Sequence, residues 1–190
     1  MRVTEGITTE RLELRRWREA DRLPFQRLNA DPRVMEFMPG PLDPGASDEL
    51  IDRIERHFAR HGFGLWAAEL RQDLSQDLSQ DRSFAGFIGL SVPGFVAGFM
   101  PAVEIGWRLR ADCWGRGLAT EGARAVVAHA FTAAGLASLV SFTAPANLRS
   151  RRVMEKIGMS HDASGDFDHP LLPAGHPLRR HVLYRIDRDG

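Results

Sequence analysis

The chain has 190 residues, 43% of them apolar, and its 25 basic and 25 acidic side chains give a formal net charge of zero. These values predict one domain with a closed core, exclude wholesale disorder, and argue against a dedicated nucleic-acid or membrane-surface protein, which would usually be basic. The single cysteine, Cys113, excludes an internal disulfide framework, and no apolar run has the length of a membrane span or a signal peptide, so a soluble cytoplasmic protein is expected.

Leu12 and Leu14 alternate with Glu13 and Arg15, a period of two that predicts a first strand. Glu19 to Ala30 shifts to helical spacing, and Asp31-Pro32 interrupts it ahead of a short apolar turn at Val34, Met35, Phe37 and Met38. Ser47 reads as the N-cap of a second helix, with Asp48 and Glu49 in its first turn. Leu50, Ile51, Ile54 and Phe58 form the buried stripe of that helix, and Gly62 ends it.

Gly64 to Leu70 reads as a strand, and the repeated Gln-Asp-Leu-Ser that follows reads as a solvated hairpin loop. Phe84 to Val92 is a strand weakened by Gly86 and Gly89. After a Gly- and Phe-rich loop, Val103 to Leu109 is a strand with Glu104, Gly106 and Arg108 on one face. A glycine turn, a long helix over Thr120 to Ala134, a strand over Ser138 to Thr143 and a helix over Asn147 to Ile157 follow. An alternating strand, His181 to Ile186, closes an α+β domain whose central sheet is largely antiparallel at first, with a later β-α-β unit.

Two features carry chemistry. Trp114-Gly115-Arg116-Gly117-Leu118-Ala119 lies between a strand and a helix, where unpaired N–H groups and the helix dipole favour an anion. The turn lacks the Gly-Lys-Ser/Thr of a nucleotide P-loop and the full dinucleotide fingerprint, so phosphate site and plain tight turn both stand. Arg149, Arg152 and Lys156 fall on one face of the later helix, which Arg151 and Glu155 bring to a local charge of +3. Taken alone, that face is more simply a solvated amphipathic helix, and a DNA recognition helix lacks an accompanying dimer element or second basic surface. His161, His169, His176 and His181 with Asp166 and Asp168 match no zinc spacing, so no metal is expected.

Gly115 to Ala119, with Trp114 at the first position of Arg/Gln-x-x-Gly-x-Gly/Ala, resembles the pyrophosphate motif of the GNAT superfamily of acetyl-CoA-dependent N-acetyltransferases. Arg11 to Arg15, Asp31 to Met35, Glu104-Ile105-Gly106-Trp107, the Asn147 helix and the tail from Phe167 resemble its ribosomal-protein N-terminal acetyltransferase branch, in that order. The resemblance implies one acetyltransferase domain over 1–190 with a polar loop insertion at about 72–81, and a GNAT-type fold with helices on both faces of a mixed, mostly antiparallel sheet. It implies acetyl-CoA as cosubstrate. Leu109 would bond pantetheine, the backbone from Gly115 through Arg116, Gly117, Leu118 and Ala119 to Thr120 would hold the pyrophosphate, and Asn147 would bond the pantetheine arm. Arg152 or Lys156 would reach the 3′-phosphate.

An amine must lose a proton before it attacks a thioester. Glu104 is the candidate base, with pairing to Arg108 as the structural alternative. The backbone N–H near Leu109 would stabilise the oxyanion. Many relatives place a Tyr acid where this chain has Met154, so Ser150 is the substitute candidate. The early helices and loops would form the acceptor pocket, with Phe37, Met38, Trp66 and the Phe95 to Phe99 loop in reach of it, although aromatics at such places are more often core and none is ranked as a site. The expected acceptor is a peptide N-terminus or a small-molecule amine, with no nucleic acid and no membrane as partner, and a homodimer is compatible. An acyl-CoA-binding regulatory module without turnover is the competing reading.

Overall fold

The structure, a computed structural model, describes residues 6–71 and 83–188, so the repeated Gln-Asp-Leu-Ser segment lies outside the described residues. Strands β1 (Gly6–Thr8) and β2 (Leu12–Arg15) precede helices α1 (Arg22–Ala30) and α2 (Pro44–His61). Strands β3 (Leu65–Leu70), β4 (Phe84–Ser91) and β5 (Glu104–Leu109) follow, then α3 (Leu118–Thr132), β6 (Ser138–Thr143) and α4 (Leu148–Lys156). The chain closes with β7 (Ser160–His161), β8 (Phe167–Asp168) and β9 (Arg180–Asp187). The expected order holds, with three strands added; β1, β7 and β8 are too short to show a period of two.

The sheet runs β1-β2-β3-β4-β5-β6-β9-β7, with β8 also on β9. Every pairing is antiparallel except β5 with β6. On one face, Leu118, Ala123 and Val126 of α3 share a core with Ile88, Leu90, Ile105 and Leu109. On the other, Phe25 and Leu28 of α1 and Ile51 of α2 pack with Phe84 and Phe87. Burial of each Leu, Ile, Val or Phe among them stabilises the fold by roughly 1.5–3 kcal/mol.

The start of α2 differs from expectation. Asp43, not Ser47, is the N-cap: its carboxylate accepts from Ala46 N at 2.8 Å, and Pro44 takes the first helical position. Ser47 is fully buried one turn in, where its hydroxyl accepts from Asn29 Nδ2 at 2.9 Å. A hydroxyl claimed by a neighbouring helix is invisible to a local capping rule. Asp43→Ala should lower the unfolding free energy by about 1 kcal/mol in chemical denaturation, whereas a Ser47 cap would leave it unchanged.

Gly86 and Gly89 also read differently in space. A Cβ at Gly86 would lie 2.0 Å from the Arg108 carbonyl oxygen, and one at Gly89 would lie 2.2 Å from that of Gly64. Gly86 further adopts φ +136°, a conformation that side chains resist. These glycines admit the neighbouring strands rather than weaken their own.

Candidate active site

β5 and β6 meet at one residue pair, Glu104 with Val140, closed by a 2.9 Å bond from Val140 N to Val103 O. Beyond it the strands part. Strand alternation turns the N–H of Leu109 to the same side as the Val103 carbonyl, into the gap. The Leu109 carbonyl accepts from the Trp114 indole at 2.8 Å, so Trp114 roofs the end of the strand.

The glycine turn stands at the mouth of this gap. Gly115 and Gly117 both take left-handed backbone, φ 72° and 80°. Gly117 is the N-cap of α3 and has no side chain to offer the helix, so the first-turn N–H groups of Leu118, Ala119 and Thr120 lack a capping side chain. The turn is braced from outside the motif: Arg11 Nη1 donates to Arg116 O at 2.8 Å, while its Nε pairs with Glu121 at 2.6 Å. Glu121 also accepts from Thr9 Oγ1 and Arg11 N, and these donors hold its carboxyl below the ordinary carboxylate range against the opposing effect of burial.

A cavity of about 280 Å³ opens through the gap. Of the expected ligand-holding residues, Leu109, Gly115, Gly117, Leu118, Ala119, Thr120, Asn147, Arg152 and Lys156 line it, and so does Ser150. Arg116 does not; its contribution here is the carbonyl that Arg11 fixes. The lining holds five cations, Arg33, Arg108, Arg149, Arg152 and Lys156, and no acid. Arg33 is paired with Asp31 and Arg149 with Glu36, the latter also lying over the Trp114 ring at 4.4 Å. Arg152 and Lys156 have no ion-pair partner among the described residues. The fourth cation of that helix, Arg151, turns away to Pro145 O and the Tyr184 hydroxyl. Two unpaired cations beside an uncapped helix start suit a phosphorylated ligand.

Asn147 caps α4 by accepting from Ser150 N at 3.2 Å and donates to Thr143 Oγ1 at 2.9 Å, so part of its capacity already serves the fold. The Ser150 hydroxyl has no partner among the described residues. Met154 is 1% exposed and does not line the cavity, so the place of the relatives' tyrosine is core here. Cys113 lines the cavity, but burial raises its thiol pKa and no base activates it.

Glu104 accepts from Ser91 Oγ at 3.3 Å and makes no pair with Arg108. Burial pushes its carboxyl up to about 7, against the opposing effect of the Ser91 bond. It lies outside the cavity lining, yet its Oε1 is 3.8 Å from where a Gly106 Cβ would stand, with nothing else near. The carboxyl therefore stands beside an open floor at Gly106, on the same face of β5 as the lining residue Arg108.

The acceptor-side aromatics divide between cavity and core. Phe37 and Met38 line the cavity, but Trp66 is 0% exposed and packs against Phe58 in the core. Phe95 and Phe99 join Phe142, Phe167, His169 and His181 in an aromatic cluster away from the lining. His161 bonds Asp166, and no group of three metal-ligating side chains is found among the described residues. No helix among them is long and apolar enough to cross a membrane.

A parted sheet, a helix start without a capping side chain and a cation-lined cavity together suit a protein that holds a phosphorylated ligand in the gap. Residues 11–160 match the acetyltransferase (GNAT) domain family, and the chain belongs to it as a GNAT acetyltransferase. It is 30% identical over 162 residues to protein YkkB of Bacillus subtilis (strain 168), spanning 85% of this chain and 88% of that protein. It is similar to the acetyltransferase from Agrobacterium tumefaciens str. C58, with 29% identity, TM-score 0.74 and coverage of 97% of this chain and 95% of that one. It shares the fold of Mycobacterium smegmatis RimJ in complex with CoA-disulfide, with 23% identity, TM-score 0.69 and coverage of 94% and 82%.

Proposed function

We propose that this GNAT acetyltransferase moves an acetyl group from acetyl-CoA directly to a primary amine within a ternary complex, as a single domain over 1–190 in the cytoplasm. The observation that carries the cofactor half is the pair of unpaired cations, Arg152 and Lys156, facing the same acid-free cavity as the uncapped start of α3. The fold shared with a CoA-bound RimJ supports the same cofactor, and the sequence resemblance supports that branch.

Acetyl-CoA supplies the activated acetyl group as a thioester. The first-turn N–H groups from Leu118 to Thr120 hold the pyrophosphate, and Arg152 and Lys156 hold the remaining phosphate. The Leu109 N–H, facing the gap, stabilises the developing oxyanion. Glu104 takes the amine proton through water over Gly106. Burial raises its carboxyl to about 7, the range that suits a general base. The Ser150 hydroxyl stands ready to hydrogen-bond the departing thiolate.

Calorimetry with acetyl-CoA, followed by thiol release with a panel of peptides and amines, tests the reading; absence of acetyl-CoA binding defeats it. Arg152→Ala/Lys156→Ala should weaken CoA binding by roughly ten- to a hundredfold, because charged hydrogen bonds are worth about 1.5–3 kcal/mol each and solvent screens these two. The loss should shrink at high salt. Unchanged affinity would remove both residues from the phosphate site.

A further inference from the structure

Arg108 is anomalous. It stands on β5 on the same face as Glu104 and Gly106, lines the cavity, and lies over the Phe87 ring at 5.3 Å. Its Nη1 donates to Asn29 Oδ1 at 2.6 Å. Its Nη2 meets only the Met38 sulfur at 3.3 Å, a weak acceptor on a flexible side chain. Its Nε has neither a hydrogen-bond partner nor solvent access. No carboxylate pairs with it among the described residues.

The same fold treats a buried arginine differently. Arg15 is held by both oxygens of Asp21, at 2.7 and 2.8 Å, and by Glu69 at 2.5 Å. Arg108 has an amide and a thioether in their place. Burial lowers its pKa only to about 10, so the charge persists at neutral pH without a counter-charge. A half-buried guanidinium on a cavity wall, its Nε shut off from solvent, is costly to hold without a counter-charge, and an anion in the cavity would offset that cost.

The side chain is also kept in position. Asn29 is fully buried and donates in turn to Ser47 Oγ, so a relay from α2 through α1 fixes the guanidinium against the cavity wall. Its place is the α1–α2 face of β5, whereas the glycine turn leads into α3 on the opposite face. The phosphates already have Arg152, Lys156 and the turn. Arg108 therefore faces the acceptor, beside the apolar Val34, Phe37 and Met38, with the open Gly106 floor between it and Glu104.

We propose that Arg108 determines acceptor specificity: it binds a carboxylate carried by the acceptor amine, so that the enzyme acts on amino-carboxylates with an apolar side chain. This rests on the acetyl-transfer reading and narrows its acceptor from any primary amine to that class. The carboxylate displaces the Met38 thioether and takes the Nη donors as a fork, an arrangement that Lys would reproduce in charge but not in geometry.

The test uses matched pairs, L-phenylalanine with L-phenylalaninamide and L-methionine with L-methioninamide, as acceptors and as ligands of the CoA-saturated protein. The acid-to-amide ratio, compared between wild type and variants, cancels the difference in amine basicity. Wild type is expected to bind the acids at least tenfold more tightly than the amides. Arg108→Met should collapse that ratio towards unity, chiefly through KM, and should leave CoA affinity and folding intact; Arg108→Lys should restore part of it. An unchanged ratio in Arg108→Met, the absence of any carboxylate-dependent binding in wild type, or a loss of CoA affinity in the variant each overturns the proposal. Failure of the protein to bind acetyl-CoA would instead defeat the underlying reading. The pairs, titrated without cofactor, would then still decide whether Arg108 selects a carboxylate.

Discussion

Glu104→Gln is expected to lower kcat by roughly 100- to 1,000-fold near neutral pH, the contribution of a positioned general base. CoA affinity should stay within about twofold, because the carboxyl lies outside the cation-lined wall. The wild-type rate should fall as pH drops through about 7, where the burial-raised carboxyl takes up its proton, and level off above it. That limb should vanish in the variant. A residual pH limb with the same midpoint in Glu104→Gln would assign the base elsewhere.

The same carboxyl ties activity to stability. Its folded pKa is above its unfolded value of 4.5, so between about 4.5 and 7 the native state holds a proton that the unfolded chain has released. The contribution is complete below 4.5 and is lost as pH rises through 7. Gln does not titrate. The variant should therefore be more stable than wild type above pH 7, by on the order of 1–3 kcal/mol, and should lose that advantage towards pH 4. Thermal melts across this range would show the two curves converging at the acid end.

Gly86→Ala should be the most damaging single methyl group in the sheet. The added carbon would stand 2.0 Å from the Arg108 carbonyl oxygen and 2.9 Å from the Leu109 Cα, on a residue at φ +136°. Overpacking and backbone strain together should cost about 3–5 kcal/mol. β5 must retreat at the very residues that line the cavity, so CoA binding should suffer beyond the loss of stability. Equal denaturant midpoints for wild type and variant would show that the strands tolerate the intrusion.

The contrast between Gly86 and Ser47 shows what was legible in the chain. The long elements declared themselves by period, because α2 and α3 each bury a continuous stripe and β5 alternates. The glycine turn and the basic face of α4 were legible because their chemistry is local: a backbone conformation and a spacing. Gly86 and Ser47 read differently in space because their roles belong to partners on other elements of the chain: the carbonyl of Arg108 and the amide of Asn29. Arg11 escaped for the same reason, since its brace on Arg116 spans 105 positions. Arg108 was read only as a foil for Glu104. Nothing in its neighbours along the strand signals that it lacks a counter-charge. Absence of a partner is a property of the folded surroundings, and only they reveal it.

The lone bridge between β5 and β6 has a mechanical consequence. Five strands on one side and four on the other each keep a complete ladder of their own, while the seam between them is stitched at Glu104 and Val140. Widening that seam breaks almost no backbone bonds, so among the described strands it is the line along which the sheet opens most easily. A ligand lying in the seam would act as the missing stitch. Amide hydrogens along Trp107 and Leu109 would then exchange quickly with solvent in the free enzyme and slowly once the seam is filled, reporting occupancy without any turnover.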